Sequence, residues 1–256
     1  MTIRPTPPHT YDAVAPHYDR AIRPLERLLL RRLRAATLHA LAADSNASND
    51  GNGGSSDGGD GSGSDASDAS SDGGDESVGA HNSVGGYSSV GGGVRKGGVR
   101  ILEVGAGTGL NFAHYPRGVS GAATEPSREM LRRAREKTRP AGIRLVQNSA
   151  EALPFADDSF DAAFATLVFC SVASPPEAFA ELRRVVRAGG RVVLLEHVRP
   201  EGLLGPVFDA FSFFTVRLFR DHFNRRTAEE ARRAGLRLLR VERHALGIIQ
   251  LIVCEV

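Results

Sequence analysis

The chain has 256 residues, of which 41% are hydrophobic and 24% charged, a size and balance that can bury one good core. Its two cysteines, Cys170 and Cys254, lie 84 positions apart, which excludes a disulfide framework and a cysteine-based zinc site and points to a reducing, cytoplasmic setting. The formal net charge of +2 conceals two unlike parts. Met1 to Pro8 has no apolar core of the kind a secretory signal needs, and no run approaches the 18 uncharged apolar residues of a membrane span.

From the N-terminus, the pairs Tyr11-Asp12 and Tyr18-Asp19 stand in a stretch suited to fold over a neighbouring site. Before the composition changes at Asp44, the residues Ile22, Leu25, Leu29, Leu33, Ala36 and Ala40 recur at steps of three and four, while Arg23, Arg27, Arg31 and Arg34 follow another stripe. This spacing predicts a basic amphipathic helix with Pro24 in its first turn. Such a helix either packs on the domain or rests on an anionic membrane surface, a peripheral contact.

Asp44 to Gly98 breaks the composition. Its 55 residues contain 17 Gly, 13 Ser, nine acids and two bases, a net charge of −7, and almost no large apolar side chains. Such a segment cannot bury a core and reads as a disordered, flexible insertion. The remaining 201 residues carry a net charge of +9, and 30 of the chain's 32 basic side chains are arginine. Three parts follow: 1–43, an N-terminal lid and basic helix; 44–98, the insertion; and 99–256, the main domain.

After the insertion, apolar runs alternate with helical spacing. Strands are predicted at Val99–Val104, Val119–Thr124, Ile143–Gln147, Phe160–Ala165 and Arg191–Glu196, with helices at Ser127–Lys137 and Pro176–Val186. That alternation implies parallel strands with right-handed crossovers. A helix at Thr227–Ala234 then precedes Leu236–Val241 and Ile248–Val253, which are too close in sequence to be anything but an antiparallel pair. The expected fold class is α/β: a doubly wound, Rossmann-like, seven-stranded sheet, mostly parallel, with one antiparallel strand near the C-terminus.

The first of these strands runs into Glu103-Val104-Gly105-Ala106-Gly107-Thr108-Gly109. Glycines at alternate positions of a strand-to-helix turn let a ligand approach bare backbone. The acid two residues before Gly105 would repel a pyrophosphate and welcome an ammonium group, such as that on S-adenosylmethionine. Glu125, followed by Pro126, ends the next strand 22 residues beyond Glu103, where a doubly wound nucleotide site places an acid on the ribose hydroxyls. Asn148-Ser149-Ala150-Glu151 ends the third strand and is placed to line an adenine edge.

With these residues in view, the chain resembles the class I S-adenosylmethionine-dependent methyltransferases over roughly Tyr11–Leu41 and Val99–Val256. The carriers are Ile101 to Gly109, Ala150-Glu151-Ala152-Leu153-Pro154-Phe155, and Glu181 to Gly190. Within that group, Asn111 to Pro116, Thr166 to Val172 and Leu195 to Val198 are most similar to proteins that methylate alkyl thiols. The stretch from Tyr11-Asp12 to Tyr18-Asp19 is similar to the start of quinone-pathway C-methyltransferases and bacterial phospholipid N-methyltransferases. The resemblance implies S-adenosylmethionine as cofactor. It places Glu103 near the methionine ammonium, Gly105, Ala106, Gly107 and Gly109 against its backbone, and Glu125 with Pro126 at the ribose. Ser149, Ala150 and Glu151 fall at the adenine, and Thr166 and Leu167 flank the methionine end. Ser149 stands where many members carry Asp, and the insertion has no counterpart in the family.

Methyl transfer from a sulfonium needs alignment more than acid–base chemistry. Glu196 and His197, at the end of the fifth strand, and Asp221, beyond it, are the candidate proton acceptors. Half of the twelve Phe fall between Leu203 and Phe223, a concentration that packs a cap or lines an apolar acceptor pocket. The expected partner is therefore a small-molecule or lipid acceptor, of thiol, amine or quinone-ring type. Arginine stripes without a binding motif do not indicate nucleic acid, and no His/Cys/acid set has metal spacing. The competing expectation is a protein that binds S-adenosylmethionine without turnover, as scaffold or sensor.

Overall fold

A computed structural model describes residues 10–42, 98–198 and 225–256. The insertion apart from Gly98, the Phe-rich segment and Asp221 lie outside the described residues. One seven-stranded sheet organises the fold: β1 (Arg100–Val104), β2 (Ser120–Thr124), β3 (Ile143–Val146), β4 (Phe160–Thr166), β5 (Val186–His197), β6 (Arg237–His244) and β7 (Ile249–Glu255). The spatial order is β3-β2-β1-β4-β5-β7-β6. Strands β1 to β5 pair in parallel, and β7 runs antiparallel to both β5 and β6.

The central strands carry unbroken apolar runs because both of their faces are covered. On one face, Leu102, Phe160, Leu194 and Ile252 pack with Phe169, Phe179 and Leu182. The helices there are α4 (Pro175–Val185) and α5 (Thr227–Arg233). On the other face, Ile101, Phe164, Leu195 and Val253 pack with Leu33, Leu38 and Leu41 and with Phe112 and Tyr115. Alternate residues of each strand thus feed opposite cores, and this gives the two-sided architecture.

Helices α1 (Ala15–Leu25) and α2 (Arg31–Ala42) join through one π-helical turn, Glu26–Leu30. The helical run therefore starts about two and a half turns before Pro24. Pro16 occupies its first turn and Pro24 lies inside α1, which corrects the expected first-turn role of Pro24. Proline in a helix interior removes a backbone donor and crowds the preceding turn, and the helix becomes irregular one residue after α1 ends. Arg34 is a second correction. Periodicity grouped it with the outward arginines, but it is only 4% exposed.

Strand β5 begins at Val186, earlier than Arg191, because Val186 already pairs with Phe160 before an irregular stretch leads to the Arg191–Ala162 pairing. Strand β6 extends to His244 because its pairing with β7 continues to Ile249. The carboxyl ends of β1, β2, β4 and β5 open on one edge of the sheet. The strand order reverses there between β1 and β4, the position where ligands bind in open α/β sheets.

Candidate active site

Six of the residues singled out from sequence, Gly105, Gly107, Glu125, Pro126, Thr166 and Leu167, line one cleft at this edge. Tyr11, Tyr18, Met130, Val168 and Ser171 complete its wall. Gly107 has φ +55°, and a Cβ built on it would meet nothing within 4 Å. Its bare backbone thus faces open space. Gly105 differs: a Cβ there would fall 2.3 Å from the Val168 side chain, so its lack of a side chain serves packing. Leu167 holds φ +58°, an unfavourable conformation for a branched residue that costs about 1–2 kcal/mol. Its amide donates to the Leu195 carbonyl at 2.7 Å.

Glu125 directly follows β2 and is buried. One carboxylate oxygen accepts from the Gly107 amide at 2.8 Å, the other from the Ser127 amide at 2.9 Å. Burial pushes its pKa up to about 7, against the lowering effect of those two hydrogen bonds. Each oxygen keeps a further lone pair, so the carboxylate can accept from a pair of hydroxyls while still holding the glycine loop.

The N-terminal segment lies across this edge. Tyr11 and Tyr18 contribute cleft wall, and the acids beside them fasten the segment. Asp12 accepts from Ser127 Oγ at 2.6 Å and from the Glu129 amide at 3.2 Å, at the start of α3 (Arg128–Arg135). Asp19 accepts from Lys137 Nζ at 2.7 Å and from Thr108 Oγ1. The two carboxylates therefore grip opposite ends of α3.

Glu103 is fully buried beneath the loop. Asn111 Nδ2 donates to it at 2.6 Å, Tyr115 donates its hydroxyl to the other oxygen, and the same Asn111 nitrogen lies 3.2 Å from Thr166 Oγ1 on the cleft wall. Burial raises the Glu103 pKa, and Asn111, Tyr115 and the charge of Arg34 oppose the rise.

The other predicted residues occupy distinct positions. Ser149 donates to Glu151, whose second oxygen accepts from the amides of Ala173 at 2.8 Å and Ser174 at 3.3 Å. With buried Ala150, they fasten the end of β3 to the start of α4 and are not among the residues lining the cleft. Ala106 and Gly109 lie within the loop, and Phe112 fills the space beside Gly109. Glu196 is fully buried, and one of its oxygens accepts from the amides of Val168 at 2.9 Å and Phe169 at 3.1 Å. It anchors the loop after β4, and burial pushes its pKa up to about 7. Burial pushes His197 down to about 4, which leaves a neutral imidazole at neutral pH. Among the described residues, no group of three or more His, Cys, Asp or Glu can hold a metal ion.

Sequence reasoning missed Met130, Val168 and Ser171 as cleft residues. Met130 follows the apolar period of α3, and that signal does not separate a core position from a cleft wall.

Residues 102–194 match the family described as Methyltransferase domain. Two curated relatives fall in the phospholipid and quinone groups. A phosphatidylethanolamine N-methyltransferase of Cereibacter sphaeroides is 39% identical over 122 residues, 46% of this chain and 60% of that protein. The ubiquinone/menaquinone biosynthesis C-methyltransferase UbiE of Idiomarina loihiensis is 34% identical over 146 residues, 54% of this chain and 58% of that protein. The chain thus spans about three fifths of the length of these relatives. The fold is shared with a chain from the complex between the Haloferax volcanii Trm112 methyltransferase activator and a methyltransferase, with a TM-score of 0.53, 18% identity, and coverage of 62% of this chain and 82% of that one. The cofactor of the family is S-adenosylmethionine. The open face at Gly107 and the spare lone pairs of Glu125 fit it.

Proposed function

We propose that the protein transfers the methyl group of S-adenosylmethionine to an apolar or amphiphilic small molecule or lipid through a thiol, amine or ring carbon. The observation that carries this reading is the convergence of Gly105, Gly107, Glu125, Pro126, Thr166 and Leu167 on one cleft closed by two tyrosines. The bound cofactor supplies an electrophilic methyl carbon on a sulfonium. The chain supplies alignment: Glu125 is placed for the ribose hydroxyls, the Gly107 backbone for close approach, and the Glu103 charge for the ammonium end. Ser149, Ala150 and Glu151 hold the adenine side through the loop at Ala173. Tyr11, Tyr18 and Met130 exclude water from the reacting end. His197, a candidate proton acceptor by sequence, is not among the residues lining the cleft, and the burial that holds its pKa at about 4 opposes its taking a proton. Glu196, committed to two backbone amides, acts through the loop it anchors. Asp221 remains a candidate by sequence alone.

An amphiphilic acceptor is favoured by the outer surface of α1 and α2. Arg20, Arg23, Arg27, Arg31 and Arg32 are exposed there with no exposed carboxylate among them, beside Leu28, 80% exposed, and Leu25, 43% exposed. Basic side chains beside an anionic bilayer contribute about 1 kcal/mol each, so this face suits peripheral contact with such a surface. No helix among the described residues is long and apolar enough to cross a membrane.

The test incubates the purified protein and methyl-labelled S-adenosylmethionine with a thiol panel, quinone precursors and phosphatidylethanolamine vesicles, and follows label in extracted product. Label in one apolar class supports the reading. Cofactor binding with no labelled product from any class favours the scaffold or sensor alternative. Flotation with anionic vesicles at low and high salt tests the membrane contact, which should weaken as salt rises.

A further inference from the structure

Arg34 stands out among the arginines of the N-terminal helices because it faces inward. Its Nε donates to Glu26 Oε1 at 2.6 Å, with side-chain exposures of 5% and 16%, so the ion pair spans the π-helical turn. Its NH1 donates to Asn111 Oδ1 at 2.9 Å. A guanidinium is only a donor, so this bond leaves the Asn111 amide one orientation, with oxygen toward Arg34 and nitrogen toward Glu103 and Thr166. That nitrogen makes the 2.6 Å bond to Glu103 and the 3.2 Å contact with Thr166. A continuous chain of polar contacts therefore runs from the N-terminal helix through Asn111 to the acid beneath the glycine loop.

We propose that Arg34 is a positioning residue for the amino-acid end of the cofactor, acting through the Asn111 amide on the Glu103 carboxylate. The inference rests on the methyl-donor reading of the cleft. Its physical content is that an amide free to rotate would present its oxygen to Glu103 in half of its settings, and two facing acceptors repel. With Arg34 in place that setting would leave the buried guanidinium facing an amide N–H₂, so only the productive orientation survives. Arg34 and Tyr18 belong to one helical run, so the element that covers the cleft also orders the groups at its base.

The test compares two ligands by calorimetry on the full chain: S-adenosylhomocysteine, which carries the ammonium and carboxylate, and methylthioadenosine, which lacks them. Arg34→Gln should weaken S-adenosylhomocysteine by roughly tenfold, the weight of one charge-assisted hydrogen bond, and change methylthioadenosine by less than about twofold. Arg34→Lys, which keeps a charged donor, should recover most of the loss. The ratio of the two affinities is insensitive to a reduced folded fraction. If Arg34→Gln does not fold, Asn111→Ala removes the relay and should produce the same selective loss. Equal weakening of both ligands, or of neither, overturns the proposal. A wild-type protein that binds neither ligand overturns the methyl-donor reading itself.

Discussion

Lys137 Nζ lies 2.7 Å from Asp19 Oδ2 across 118 positions of sequence, and Thr108 of the glycine loop donates to the other oxygen of the same carboxylate. The clasp ties the cleft-covering segment to the loop it covers. Burial works to raise the Asp19 pKa, but the bonds from Lys137 and Thr108 outweigh it and hold the carboxyl below its usual range. A depressed carboxyl stabilises the folded state above its unfolded value, and that contribution is lost as pH falls through the folded value. Both partners are about one third exposed, so screening limits the pair to about 1 kcal/mol or less. Asp19→Asn should therefore speed dissociation of S-adenosylhomocysteine about two- to fivefold at neutral pH, measured by stopped flow. In the wild type the rate should rise toward the mutant's as pH drops below about 4. An unchanged rate in Asp19→Asn would show that the clasp does not control exit.

Gly107→Arg should abolish binding of S-adenosylhomocysteine and leave the fold intact. The new side chain enters the open space at Gly107 rather than a packed neighbour. The positive φ adds a strain of about 1–2 kcal/mol for any residue with a Cβ, so the melting temperature should fall by only several degrees. Undiminished affinity by calorimetry would remove Gly107 from the site.

Glu196→Gln probes a buried carboxyl whose pKa burial pushes up to about 7. A carboxyl raised in the folded state binds more protons there than in the unfolded chain. Its contribution is therefore fully present below the unfolded value and lost as pH rises through about 7. The amide oxygen of glutamine can still accept from Val168 and Phe169, so the loop anchor persists. Melting curves should show the wild type losing stability between pH 5 and 8, by about 1–3 kcal/mol for this one group, with a clearly flatter profile for Glu196→Gln. Parallel profiles would refute the raised pKa.

Deleting Asn46 to Gly92 should leave cofactor binding nearly unchanged. The composition there cannot build a core, and a connection shortened this much lowers the closure cost by about 2 kcal/mol or less. A fall of more than about ten degrees in the melting temperature would show that the segment carries structure.

The sheet was legible because its signals are local. Buried parallel strands such as Ile101–Val104 and Val192–Leu195 are continuous apolar runs, and the close spacing of the last two strands dictates their antiparallel pairing. The cleft was legible where backbone chemistry restricts residue type, at Gly107 and at the strand-end acid Glu125. Groups that act through tertiary contact were not. Periodicity turned Arg34 outward with its neighbours, and only the fold brings Asn111 to it across 77 positions. Glu196 carried the chemistry of a proton acceptor in sequence. The fold commits one of its oxygens to two amides of a loop 27 and 28 positions away, a relationship no local pattern encodes.

The place of β7 between β5 and β6 also bears on the chain as it leaves the ribosome. Strands β1 to β5 can pair as they emerge, but among the described residues β6 joins the sheet through β7 alone. Until the later strand is made, the hydrogen-bonding edge of β5 and the apolar side chains of Val192 to Leu195 have no neighbour on that side, and β6 has nothing to join. The nascent protein therefore passes through a stage with an open, apolar strand edge, the form most prone to pairing with another chain. The last hairpin ends that exposure by docking as a unit.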